Sequence, residues 1–346
     1  NNETSDEHIL QSGALIAFSE FNDKVEKMMK CEPLEVDDSI EEQRLETVKE
    51  KDGDYEIKYN DRKPRWWKQL SSYSRRGSKA QQRAYQTMQS HKLPAIKYGE
   101  MHDFDEIFKS TKSKSIWLEV GCGQGDNLLA NAEFHPEIAI IGADVHKPSV
   151  GLSLLRIEKA IQDGKYWNGY NLYTPCKDPF IANDEEDRNI SHAEDYDKCD
   201  TINHPGNKDA PYCNLRIFPG DGIKLLQYIP TSSLSVLMIT FPDPFYKDRY
   251  KEHRVVQSHT ILDIHRVLKP GGRFHVATDH PVYHEWVTKL MEKTTNLFIK
   301  LNDPSAHRTS WLPVISKYEQ KGWNEDRKTF LLSWEALKEN GGCSDE

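Results

Sequence analysis

The chain predicts an α/β fold built on a doubly wound, mainly parallel sheet, and three features carry that expectation. From Ser115 onward, short apolar runs alternate with amphipathic ones. The first apolar run, SIWLEV, ends in a glycine-rich turn, GCGQG, that opens into the helical pattern DNLLANAEF. A second apolar run, IAIIGADV, then ends in an acid, so strand, helix and strand follow one another as in a parallel βαβ unit.

The alternation continues along the chain. A helix is expected near GLSLLRIEKAIQ, a strand at CNLRIF, a helix at GIKLLQYI and a strand at SVLMITF. A helix within EHRVVQSHTILDIHRVL and a strand at GRFHVAT follow, separated by the turn KPGG, and LFIKL and TFLLSW are two further strand candidates. No internal repeat is present.

A length of 346 residues suits one large domain or two small ones. No run of ~18 apolar residues offers a membrane span, and NNETSDEHIL lacks the basic and apolar regions of a signal peptide and an initiator Met. The expectation is an intracellular protein, with nucleus, cytoplasm and organelle all open. The six cysteines, Cys31, Cys122, Cys176, Cys199, Cys213 and Cys343, form no CxxC pair and no metal-ligand spacing, and read as free thiols.

The net charge of −9 is unevenly distributed. Residues 1–57 hold 17 acids and 6 bases and residues 176–212 hold 10 and 4, which leaves the remainder at +8. The first segment reads as a largely disordered acidic extension, and 176–212 as a disordered acidic insertion within a domain spanning 58–340. Residues 58–84 carry nine bases, Arg75 and Arg76 among them, against Asp61 alone, interleaved with Trp66, Trp67 and Tyr73. That composition suits phosphate contact and base stacking, and equally a solvated face.

Gly121, Gly123 and Gly125 lie between a strand and a helix, where glycines let backbone approach a ligand closely; a plain structural turn is the alternative. Glu119 precedes them, and Asp144 closes the next strand 25 residues after Glu119, where an acid can hold ribose hydroxyls. The spacing is GxGxG, as in S-adenosylmethionine-dependent methyltransferases, whereas dinucleotide sites have GxGxxG and a pyrophosphate that would not welcome Glu119. Asp221, in GDGIKLL, stands where the adenine edge would lie, or is a helix N-cap. In ITFPDPFYKDRYKEHRV, Asp243 sits between two prolines that restrain its backbone from both sides, at the carboxyl end of a strand where open α/β sheets bind ligands. The alternative is a strand terminator with a solvated acid. Lys247, Arg249, Lys251 and Arg254 beside this acid favour RNA contact over a merely solvated face for the basic residues.

With LEVGCGQG, GADVHKPSVG, FPDPFYKDRYKEHRVV, HVATDHPVY, ISKYEQKG and the basic SYSRRGSKAQQ, the chain resembles the tRNA (guanine-N7-)-methyltransferases, most closely their bacterial and organellar branch, from about Arg65 to Trp334. The resemblance implies a Rossmann-like class I methyltransferase with a seven-stranded sheet whose last strand is antiparallel. It implies S-adenosylmethionine as cofactor, held by Glu119, Asp144, Asp221 and Asp243, and nucleotide binding at Lys247, Asp279 and the segment from Ser316 to Glu319. The implied partner is tRNA, methylated at a variable-loop guanosine, with a monomer or homodimer favoured over a complex with a non-catalytic subunit. Phe245 and Ser316 stand where the family mostly has Trp and Thr, and the acidic insertion is foreign to its compact members.

Guanine N7 carries a free lone pair, so methylating it requires no general base, and rigid carboxylates such as Asp243, with Asp279 and Glu319, suit the charge that moves onto the purine. The rival readings are a methyltransferase of the same fold acting on another substrate and a catalytically inactive RNA-binding subunit.

Overall fold

In the computed structural model, which describes residues 77–96, 99–109, 114–180, 210–302 and 308–338, the apolar runs form seven strands. These are β1 (Ile116–Val120), β2 (Ala139–Ala143), β3 (Leu215–Phe218), β4 (Leu234–Thr240), β5 (Leu268–Thr278), β6 (Phe298–Lys300) and β7 (Phe330–Ala336). They pair in the order β3-β2-β1-β4-β5-β7-β6. Every pair from β3 to β5 is parallel, and β7 runs antiparallel to both β5 and β6. The sheet is thus the predicted one, with β7 the strand of opposite direction. The order reverses between β1 and β4, the switch point where open α/β sheets bind ligands at their carboxyl edge.

The described helices are α1 (Lys79–Thr87), α2 (Phe104–Ile107), α3 (Asp126–Phe134), α4 (Lys147–Asp163), α5 (Gly222–Leu225), α6 (Ser258–Val267), α7 (Pro281–Met291) and α8 (Lys317–Trp323). On one face of the sheet Leu118, Ile141, Leu237 and Ile239 pack with Ile261, Ile264, Tyr283 and Val287 of α6 and α7. On the other, Ile140 and Ile217 pack with Leu128 and Leu129 of α3, Leu154 and Ile157 of α4 and Ala84 of α1. Burial on both faces is why the parallel strands read as continuous apolar runs rather than alternating ones.

Three element boundaries differ from the sequence reading. β5 begins at Leu268 and takes in KPGG, which forms an irregularity in the strand, with Gly271 at φ +69 and a register shift opposite Leu234 to Val236. The helix expected within EHRVVQSHTILDIHRVL takes up only its later part, from Ser258, where Gln257 and Thr260 form a capping box; Asp248–His253 is a separate 3₁₀ turn. α4 starts at Lys147, earlier than its apolar run, because His146 caps it and proline is tolerated in a first turn.

The expected extension 1–57, together with Arg75 and Arg76, lies outside the described residues, as do 181–209 of the expected insertion. Its flanks belong to the folded core: Asp178 and Tyr212 are buried, and the Tyr212 hydroxyl lies 2.8 Å from that of Tyr170.

Candidate active site

The glycine turn after β1 is built on left-handed backbone, with φ of +81, +55 and +80 at Gly121, Gly123 and Gly125. A Cβ at Gly125 would meet Ser153 Oγ at 2.6 Å, so only glycine lets α3 approach α4 there. The N–H of Gly121 donates to Ala143 O at 2.8 Å, and Arg156 of α4 donates to Gln124 O and Asp126 Oδ1 at 2.7 and 2.8 Å, its guanidinium lying over Trp167. Asp144 ties this turn to the end of β2: its two oxygens accept from the N–H of Gly123 at 2.8 Å and of His146 at 2.6 Å.

Glu119 points from β1 into the cleft above that turn. It is 1% exposed; one oxygen accepts from Thr240 Oγ1 at 2.8 Å and the Asn127 side chain stands beside the carboxyl, while Oε2, fully buried, makes no hydrogen bond. Burial pushes the carboxyl up to about 7. Gly121, Cys122, Gly123, Asn127, Thr240, Phe241, Leu312 and Ser316 to Tyr318 complete the lining. Asp221 caps α5, its Oδ1 accepting from Ile223 N at 2.9 Å, at the spot where Gly222 approaches Val120 and Ala143. The N-cap reading is therefore realised.

Asp243 lies at the tip of the loop after β4, exposed, with Oδ1 accepting from Phe245 N at 3.0 Å. Phe241 and Phe245 on either side have φ of +48 and +39, a region bulky residues rarely enter. The His280 ring, which burial holds below the usual imidazole range, stands near Asp279, Arg327, Arg254 and Asp243 and stacks on Tyr246, which is 58% exposed. Asp279, at the end of β5, is held through Oδ2 by Arg327 Nη2 at 2.8 Å and Nε at 3.1 Å. It presses on Gly322 of α8, where a Cβ would come within 2.7 Å of the same oxygen. Ser316 caps α8, accepting from Glu319 N at 3.1 Å, and lines the Glu119 cleft. Lys247, Arg249 and Lys251 are exposed, with Lys247 beside the Tyr246 ring.

Two expectations need correction. Glu319 is 0% exposed, and its oxygens accept from Arg308 at 2.7 and 2.8 Å and from Thr329 Oγ1 at 2.6 Å, so it braces α8 and presents no accessible oxygen to a nucleotide. Arg254, expected among the bases facing RNA, is 5% exposed; it donates to Pro244 O and Phe245 O and lies over Trp286. Arg156, Arg254, Arg308 and Arg327, which hold four parts of the cleft, carry no sequence signal, because an arginine in a helix or loop reads as solvated surface. Thr240 and Asn127 were hidden among the apolar and polar residues of their elements.

Among the described residues no three His, Cys, Asp or Glu side chains gather as a metal site, and no helix is long and apolar enough to cross a membrane.

A sheet of this order, with a glycine turn after β1 and a buried, half-satisfied acid behind it, defines the class: an α/β transferase of the methyltransferase type. More closely, the chain belongs to the family described as "Putative methyltransferase", which it matches over residues 113–192 and 196–332. It is similar to the tRNA (guanine-N(7)-)-methyltransferase of Francisella philomiragia, 29% identical over 274 residues, 78% of this chain and 96% of that protein. The enzymes of that name from Ruegeria sp. and Corynebacterium efficiens are each 29% identical, over 65% and 72% of this chain and 68% and 80% of their own lengths.

Proposed function

We propose that the protein transfers a methyl group from S-adenosylmethionine to N7 of a guanosine in tRNA, in the variable loop. The observation that supports this best is the buried Glu119 oxygen without a partner, beside a glycine turn and opposite the Asp243 loop. An uncompensated buried carboxylate is costly, and an ammonium-bearing ligand relieves it. The residues fit the cofactor in this respect, and in a second: a Cβ at Gly121 would find no atom nearer than Thr240 O at 4.0 Å, so the backbone stands open to a close ligand.

In this reading Glu119 holds the cofactor's amino group, and Asp144 and Asp221 stand at the strand ends where its ribose and adenine would lie. When bound, the cofactor supplies an electrophilic methyl on a sulfonium. Guanine N7 has no proton to lose, so no residue of this chain acts as a base. What remains is alignment and charge: the Asp243 carboxylate offsets the positive charge arriving on the purine, and Asp279, held by Arg327, stands with Asp243 near the His280 ring. Exposed Lys247, Arg249 and Lys251 beside the loop supply phosphate contacts. The chain works as a monomer or homodimer; sedimentation of the active species tests this.

Incubating the protein with bulk tRNA and methyl-labelled cofactor, followed by nucleoside mass spectrometry, tests the whole reading. The expected product is N7-methylguanosine, and a transcript with 7-deazaguanine at the target accepts no methyl. Normal methylation of that transcript, or label in another nucleoside, overturns it.

A further inference from the structure

We propose that Arg254 is a positioning residue for the Asp243 carboxylate, acting through the backbone of the loop and not through RNA. The inference rests on the function reading above for its kinetic test only. The loop from Phe241 to Phe245 leaves β4 through a residue at φ +48 and ends on one at φ +39. Each such conformation is strained for a bulky side chain and persists only where its surroundings hold it. Phe241 is held at the start by its N–H, which donates to Ala277 O on β5 at 2.8 Å. At the far end Arg254 does the holding. Its Nε donates to Pro244 O at 3.1 Å and its Nη2 to Phe245 O at 3.2 Å, so one planar fork fixes two successive carbonyls.

That orientation turns the Phe245 N–H back onto Asp243 Oδ1 and so sets the direction of the carboxylate. The guanidinium is itself immobilised. It lies 4.6 Å from the Trp286 ring, whose Nε1 donates to Val256 O, and Arg254 O and Lys251 O both accept from the Gln257 amide. A lysine supplies the charge without the fork, so it cannot hold both carbonyls at once. An arginine buried to this degree is also closed to phosphate, unlike the exposed Lys247, seven residues beyond the end of β4.

Two variants, Arg254→Lys and Arg254→Ala, test the proposal through amide hydrogen exchange and kinetics. In both, exchange at the Phe245 amide rises tenfold or more while the amides of β4 and β5 keep their protection, a readout that needs no substrate. With tRNA, kcat falls tenfold or more, whereas KM for tRNA, its salt dependence and cofactor affinity stay near wild type. Added methylguanidinium restores part of kcat in Arg254→Ala. Unchanged exchange and kcat overturn the proposal, as does a loss confined to KM and its salt slope, which marks an RNA contact. Loss of the fold in Arg254→Lys also overturns it, because the residue then supports the core rather than the loop. A wild-type chain inactive on tRNA overturns the function reading alone, since the exchange measurement decides the role of Arg254 regardless.

Discussion

The two sides of the carboxyl edge each hold a fully buried glutamate, and the two are satisfied in opposite ways. Glu119, on the glycine-turn side, has one hydroxyl donor and an oxygen with no partner. Glu319, on the α8 side, has a bidentate arginine and a threonine. Burial is alike, at 1% and 0%, so burial alone does not distinguish a ligand acid from a structural one. The missing cation does. On the proposed reading, a buried carboxylate the protein completes with its own arginine belongs to the scaffold, and one left half-satisfied at a cleft is completed by what binds there.

The largest effect expected from this contrast is on stability. Arg308→Met removes the cation from Glu319 and leaves a charge buried among apolar neighbours, which destabilises by about 3–5 kcal/mol. Urea denaturation reads it directly, and adding Glu319→Gln recovers part of the loss. A change under ~1 kcal/mol would mean that Glu319 is not held by that pair and would reopen its role toward the nucleotide.

Next in size is the exposed acid between the prolines. Asp243→Asn keeps the shape of the loop and removes the charge, so kcat should fall by ~10²-fold or more, with a smaller change in tRNA affinity and little in Tm. Pro242→Ala and Pro244→Ala keep the charge and cost less. An Asn variant with near-normal kcat would move the charge-stabilising role to Asp279.

Glu119 gives a smaller effect with a pH signature. Its carboxyl is raised to about 7, so the stability it lends as a neutral group is present below its ordinary value and lost as pH rises through 7. Cofactor affinity runs the other way, because the ammonium needs the ionised form: it rises as pH increases through about 7 and falls again where an α-amino group deprotonates, near ~8. Below pH 7, binding releases a proton, which calorimetry in buffers of different ionisation enthalpy counts. Glu119→Gln removes the acid limb and the proton release, and weakens binding by ~1–3 kcal/mol. An unaltered limb would place the cofactor's amino group elsewhere.

The contrast also explains what was legible in the sequence. The strands, the glycine turn, Glu119, Asp144 and the Asp243 loop were legible because each rests on a local pattern: an apolar run, left-handed glycines, prolines fixing the neighbouring backbone. KPGG was read as a turn because glycine and proline normally interrupt a strand, whereas here β5 carries them as an irregularity at its start. The arginines were not legible. Arg254 reaches back ten residues to Pro244 and Arg327 reaches 48 to Asp279, and no local pattern encodes a partner brought in by tertiary packing. Glu319 was misassigned for the same reason, since its motif names the acid but not the Arg308 that consumes it.

The smallest effect separates the exposed bases of the Asp243 loop from the buried one. Lys247, Arg249 and Lys251 are exposed, whereas Arg254 is spent on two carbonyls. If the exposed three meet phosphate, each releases a counterion on binding, and Lys247→Ala or Arg249→Ala should lower tRNA affinity a few-fold and reduce the slope of log affinity against log salt by about 1. Cofactor affinity and Tm should not move, since neither side chain holds any part of the fold beyond its contact with a neighbouring tyrosine. Arg254→Ala removes a charge that is already out of solvent and should leave the slope where it was. The measurement is a binding titration at four or more salt concentrations. Equal slopes for wild type, Lys247→Ala and Arg249→Ala would show that this edge of the loop is only solvated surface. A reduced slope in Arg254→Ala would show that the buried guanidinium senses the phosphates after all, and the distinction between a positioning cation and a binding one would fail at this site.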